Sequence, residues 1–253
     1  MLPHDEAGSG PPIVLIHSGV TDRRMWSDHL EPLGAAGYRV VAIDLPGFGD
    51  AELPPGEQAP WQDVLGAMDE LGIERPAIVG NSMGGAVALR VALVAPERIS
   101  TLVLVSAPPP GLEPSPELKA VWQAEEDALE RGDVDGAVAA VVDGWTLPDA
   151  PQALRDQVAT MQRRIFELGL EAEFAEAPDP LDEDPARIKE IEAPTLVAVG
   201  ARDISDFLDG AKAMAEQISN AQLEVIEQAG HLAPLETPER FRELLLGFLR
   251  SSE

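Results

Sequence analysis

At 253 residues, with 45% hydrophobic and 25% charged side chains, the chain has room for one large α/β domain or a core carrying one insertion. Eighteen Lys plus Arg against forty-five Asp plus Glu leave a formal charge of −27, which repels phosphate backbones and anionic lipid and disfavours nucleic-acid and membrane-surface roles. There is no cysteine, which excludes disulfides, a thiol nucleophile and a Cys-based metal site.

The N-terminus, Met1 to Glu6, has no basic segment followed by an apolar stretch, so no secretory signal is expected. No apolar run approaches the ~18 residues of a membrane span, and the expected location is cytoplasmic. His4 is expected in a loose terminus. Short β-branched runs then recur at residues 13–17, 38–44, 77–80, 101–106, 195–200 and 222–226. Runs this continuously apolar fit strands buried on both faces of a parallel sheet.

Between the strands lie helical spacings. Trp61, Val64, Leu65, Met68 and Leu71 recur at three and four, which predicts a helix over 61–71. Residues 86–94 are apolar on nearly every side, as for a helix pressed against a sheet. Residues 238–249 read as a last helix with Thr237 at the N-cap and Pro238 at the first helical position. The alternation stops between Ala107 and Ile191, where proline-rich breaks bracket helical patterns at 117–131, 134–142 and 152–174. The fold class is therefore α/β, a mostly parallel sheet flanked by helices. Its core is expected at 1–106 and 191–253, with an inserted helical cap at 107–190.

The chemistry centres on Gly80-Asn81-Ser82-Met83-Gly84, followed by Gly85. It stands between a strand and a helix, where G-x-S-x-G builds a nucleophile elbow. Glycines there remove the Cβ atoms that a tight turn cannot hold. A serine needs a base, and the base needs an orienting group. Of four histidines, His29 sits on a polar helix and is expected to be solvated, and His17 comes too early in the chain order. His231, after the last strand, is the expected base. Asp203, at the end of the preceding strand, is the expected acid, with Asp206 and Asp209 as competitors. The oxyanion amides are assigned to Met83 and to Gly19, with Val20 the alternative to Gly19.

These residues resemble the α/β-hydrolase fold family in its compact esterase, lactonase and haloperoxidase-like branch. The resemblance rests on Val14 to Gly19 with Met25-Trp26, on Asp44-Leu45-Pro46-Gly47-Phe48-Gly49, on the elbow, on Ala95-Pro96-Glu97-Arg98, on Val199 to Asp203, and on Gly230-His231 with Glu236. It implies a two-step acyl transfer that needs no cofactor and no metal. Family members have two strands before the His17 loop, so here the first is expected to be missing and the second shortened. Ser18 replaces the usual glycine after the loop histidine, and Ala51 stands where a serine is common. Dehalogenase and epoxide-hydrolase relatives use an aspartate nucleophile, which the elbow does not supply.

The expected activity is hydrolysis of a small carboxylic ester or lactone. The alternatives with the same triad are C–C bond hydrolysis and cofactor-free perhydrolysis, and a small-molecule receptor with vestigial turnover is the third. The expected partner is a small-molecule substrate, with no nucleic acid or membrane, and the expected state is a monomer or homodimer. Phe207 and Leu208 are expected beside the site. Trp122, Trp145, Met161, Phe166 and Phe174 are either pocket wall or cap core. Glu171, Glu173 and Glu176 read as a solvated face.

Overall fold

The computed structural model describes residues 1–169 and 174–252, with only the backbone of 174–176. The first half runs β1 (His4–Gly8), β2 (Pro12–Ile16), α1 (Ser27–Ala35), β3 (Arg39–Ile43), β4 (Gly56–Gln58), α2 (Pro60–Glu70), β5 (Ala77–Asn81), α3 (Met83–Val94) and β6 (Thr101–Val105). Next come α4 (Pro116–Glu130), α5 (Val134–Trp145), α6 (Gln152–Gly169) and β7 (Phe174–Glu176). The chain closes with β8 (Thr195–Gly200), α7 (Ser205–Gln217), β9 (Ala221–Ile226), α8 (Ala233–Glu236) and α9 (Pro238–Ser251). Among the described residues no helix is long and apolar enough to cross a membrane.

The described strands form a seven-stranded sheet in the order β1-β3-β2-β5-β6-β8-β9, and β4 pairs separately with β7. Every neighbour pair in the large sheet is parallel except β1 with β3. The middle strands β5 and β6 are buried along their whole length, as their largely apolar sequences require, with Asn81 and Thr101 the buried polar residues. Each fully buried Val, Leu or Ile there stabilises the fold by about 1.5–3 kcal/mol.

Three expectations need correction. One short strand precedes β2. It pairs antiparallel with β3 from His4 to Gly8, so His4 opens an edge strand and is not loose. Arg39 holds that edge through Glu6 at 3.0 Å, and Arg23 through Asp5 at 3.0 Å. At the opposite edge β9 leaves Leu223 and Val225 exposed, so this strand is not buried on both faces. Thr237 does occupy the N-cap of α9, but its hydroxyl donates back to the Ala233 carbonyl and caps nothing.

Helices α4, α5 and α6 fall where 117–131, 134–142 and 152–174 are predicted. α5 continues to Trp145, and α6 is described over Gln152–Gly169, while Phe174, predicted at the end of that helix, opens β7. Glu171 and Glu173 lie outside the described residues, as do the side chains of Phe174 and Glu176.

Parallel strands send their C-terminal ends to one rim. The chain leaves β2 for β3 on one side and then crosses to β5 on the other, so the strand order reverses between β2 and β5. Loops opening from such a reversal leave a crevice at the rim, where ligands of open α/β sheets bind. Gly19 follows β2, Ser82 follows β5, Asp203 follows β8 and His231 follows β9, all on this rim.

Candidate active site

Ser82 sits between the last residue of β5 and the first of α3 with φ 54° and ψ −118°, in the positive-φ region that a non-glycine residue adopts only under strain. Its neighbours make the turn possible. A Cβ on Gly80 would collide with the Gly84 carbonyl, and one on Gly84 with the carbonyls of Ile16 and His17. The Ser82 amide donates to the Val105 carbonyl at 2.7 Å, which ties the elbow to β6. With the turn fixed, the first amides of α3 face outward without intrahelical partners, directed by the helix dipole.

Three groups far apart in sequence meet at this turn. His231 Nε2 lies 2.8 Å from Ser82 Oγ, and His231 Nδ1 lies 3.0 and 3.1 Å from the two oxygens of Asp203. A carboxylate can only accept, so Nδ1 carries the proton and donates to Asp203, leaving Nε2 to accept from the serine. The His231 and Asp203 side chains are 4% and 0% exposed. The competing acids are engaged elsewhere. Asp206 accepts from the Ser115 amide at 2.8 Å, and Asp209 pairs with Lys212.

Two residues that the sequence places in motifs but gives no role hold the His231 loop in place. Asn81 is fully buried, and its Nδ2 donates to the carbonyls of Val105, at 3.0 Å, and His231, at 3.1 Å. Glu236 accepts from the Gly230 amide at 2.6 Å and from the Leu147 amide at 3.3 Å, joining the His231 loop to the segment after α5. Burial raises the Glu236 carboxyl above its ordinary range, and the two amides oppose that shift.

The loop after β2 is built around His17. Its Nδ1 donates to the Ser18 carbonyl at 2.8 Å and its Nε2 accepts from the Leu45 amide at 3.0 Å. Burial lowers its pKa, and the ring acts as a neutral strut between two rim loops. Asp44 anchors the second loop by accepting from the amides of Arg23, at 2.8 Å, and Asp50, at 2.9 Å. Within the first loop the Val20 amide donates to Ser18 Oγ at 3.2 Å and is not free for another acceptor. Gly19 and Met83 both line the cavity beside Ser82.

That cavity measures about 310 Å³ and is walled by helices α4, α5 and α6 opposite the sheet rim. Trp122, Trp145 and Phe207 line it. The His231 ring lies 4.3 Å from Phe207 and 4.5 Å from Trp145, centroid to centroid. Leu208 packs on the core and does not line the cavity, which departs from expectation. Met161 and Phe166 are buried in the core and likewise stay away from it. Glu125 and Gln162, which the sequence did not single out, do reach it. Burial raises the Glu125 carboxyl above its usual range. A neighbouring cavity of about 490 Å³ shares Met83 and Ala86 as a wall, and its Arg90 is paired with Asp179.

His29 corrects a further expectation. It is fully buried, donating from Nε2 to the Pro234 carbonyl at 2.9 Å and stacked edge-on against Trp26 and Phe241. Burial pushes its pKa down to about 4.

Comparison with known proteins agrees with this architecture. The chain is 30% identical to a 2-hydroxy-6-oxo-6-phenylhexa-2,4-dienoate hydrolase of Comamonas testosteroni, over 99% of this chain and 91% of the relative. Among solved structures it is similar to an esterase from Thermogutta terrifontis, with a TM-score of 0.80, 28% identity, and coverage of 99% of this chain and 93% of the other. It is also similar to the enol-lactonase from Burkholderia xenovorans LB400, with a TM-score of 0.80, 26% identity, and coverage of 98% and 96%. Residues 13–244, from β2 into α9, match the model of the alpha/beta hydrolase family. A match that spans the sheet from β2 to β9, the elbow and the loops carrying Asp203 and His231 makes this chain a member of the alpha/beta hydrolase family.

Proposed function

We propose that the chain is a serine hydrolase that cleaves a small carboxylic ester or lactone through an acyl-enzyme on Ser82. The observation that carries this reading is the 2.8 Å contact between His231 Nε2 and Ser82 Oγ, facing a cavity lined by no Lys or Arg among the described residues. His231 takes the serine proton as Oγ attacks the carbonyl carbon. The amides of Gly19 and Met83 receive the charge that develops on the carbonyl oxygen, each donor contributing ~3 kcal/mol to the transition state. His231 then protonates the departing alkoxide, and in the second half activates water to release the acid. Asp203 holds the tautomer and stabilises the imidazolium. Segment 107–190 serves as a cap whose aromatic side chains select the substrate.

The second reading is C–C bond hydrolysis, favoured by the Comamonas relative. The substrate in that protein's name contains no ester, so hydrolysis must break a carbon–carbon bond. It is also a carboxylate. A carboxylate buried in this cavity would meet Glu125 and no cation, and unpaired buried charge is costly. Arg90 lies behind the Met83 wall, already neutralised by Asp179.

Steady-state hydrolysis of p-nitrophenyl esters and simple lactones, run beside that dienoate, tests the choice. The ester reading predicts a higher kcat/KM on the esters or lactones. A higher kcat/KM on the dienoate would replace it with C–C hydrolysis.

A further inference from the structure

Apart from Ser82 and His231, the polar side chains at the described cavity wall are Glu125, in α4, and Gln162, in α6. Neither has a partner that would explain its placement. Glu125 makes no hydrogen bond or ion pair with any described residue, and burial alone acts on its carboxyl. Gln162 is 2% exposed, and its Oε1 is buried without a hydrogen-bond partner. Buried amide oxygens are nearly always satisfied, so an orphan at a cavity wall is an acceptor that a ligand can complete. The same space is bounded by the rings of Trp122, Trp145 and Phe207.

Two acceptors, one of them anionic, beside aromatic faces and with no competing cation, form the complement of an ammonium group. A protonated amine can donate N–H to the carboxylate and to the amide oxygen while its charge rests on an indole face. A carboxylate ligand would be repelled, and an alkyl group would leave both acceptors unsatisfied. The chain's charge of −27 adds a long-range field that draws cations toward any opening.

We propose that Glu125 and Gln162 form the specificity subsite of this cavity and that the ester or lactone it takes carries a protonated amine. The proposal rests on the acyl-transfer reading for the reaction, but the subsite itself can be tested without turnover.

Binding of three small probes of equal chain length reads it directly by calorimetry near 0.15 M salt: n-butylammonium, butan-1-ol and butyrate. The expected order is butylammonium tightest, by about tenfold over butan-1-ol, with butyrate weakest. In Glu125→Gln the preference for the cation should collapse to within about twofold of the alcohol. In Glu126→Gln, which removes one exposed charge from the same helix, it should persist. Gln162→Leu should weaken butylammonium more than butan-1-ol.

Equal binding of the cation and the alcohol by the wild type overturns the proposal, and this result needs no variant to fold. A cation preference that survives Glu125→Gln also overturns it and assigns the attraction to the diffuse acidic surface. Selective butylammonium binding by a protein that hydrolyses no ester would instead remove the acyl-transfer reading and leave the subsite standing.

Discussion

Asn81 Nδ2 donates to the His231 carbonyl at 3.1 Å, so the strand that delivers Ser82 also grips the backbone of His231. The same amide holds Val105, which anchors the Ser82 amide, and one buried side chain therefore couples β5, β6 and the His231 loop. His231 is thus held through its backbone by this cross-link and through its ring by Asp203, with Nε2 2.8 Å from Ser82 Oγ.

Replacing Asn81 with alanine removes both donations, so the His231 carbonyl loses this donor and the Val105 carbonyl is left to the Ser82 amide, each net bond being worth about 1 kcal/mol. Asn81 does not line the cavity, so the effect should fall on kcat. A drop of roughly 10- to 100-fold is expected, with KM nearly unchanged and slower labelling of Ser82 by a fluorophosphonate. Wild-type labelling and kcat in a folded Asn81→Ala protein would show that the cross-link does not position the base.

Trp145 stands 4.5 Å from His231, centroid to centroid, and bounds the 310 Å³ cavity. Trp145→Leu keeps an apolar wall while opening volume. The preferred acyl chain in a series of p-nitrophenyl esters should lengthen, and kcat on the acetate should fall as the imidazole loses its neighbour. An unchanged chain-length profile would place the acyl group away from Trp145.

His29 predicts an acid limb in stability. Its folded pKa of about 4 lies below the ordinary 6.5 because burial penalises the charged ring. Above pH ~6.5 the ring is neutral in both states and has no effect. As pH falls from 6.5 to about 4, the unfolded chain takes up a proton that the folded one refuses, so stability declines. The total loss is about 3 kcal/mol, the same order as the stability of many small domains. Urea unfolding across this range should show a shallower decline for His29→Gln than for the wild type. Parallel curves for the two proteins would remove His29 as a source of acid sensitivity.

What the sequence made legible follows from where each signal resides. The elbow is local: glycines at 80 and 84, a strand before and a helix after, all within one short segment. The placement of His231 and Asp203 needed only the rule that parallel strands end on a common rim. The residue pattern gave no sign of the edge strand β1, because His-Asp-Glu-Ala-Gly carries no apolar alternation. Its strand character comes from pairing with β3 and from Arg39 and Arg23, all distant in sequence. His29 misled for a related reason, since its helix is polar while its burial is supplied by Pro234 and Phe241 from the other end of the chain. Trp122 and Trp145 reach the cavity whereas Met161 and Phe166 do not, and helical spacing treats all four alike. Which face of a helix meets a cavity is decided by packing, and Glu125 and Gln162 went unnoticed on that account.

The central claim is that Ser82 carries the acyl group. Rapid mixing with p-nitrophenyl acetate, quenching, and mass analysis of the peptide that contains Ser82 tests it most directly. The wild type should show a burst near one nitrophenolate per chain, with an acetyl group on Ser82. Ser82→Ala should show neither and lose turnover by a factor on the order of 10⁶. Steady turnover by Ser82→Ala at the wild-type rate, or acetyl recovered on another residue during turnover, would contradict the account.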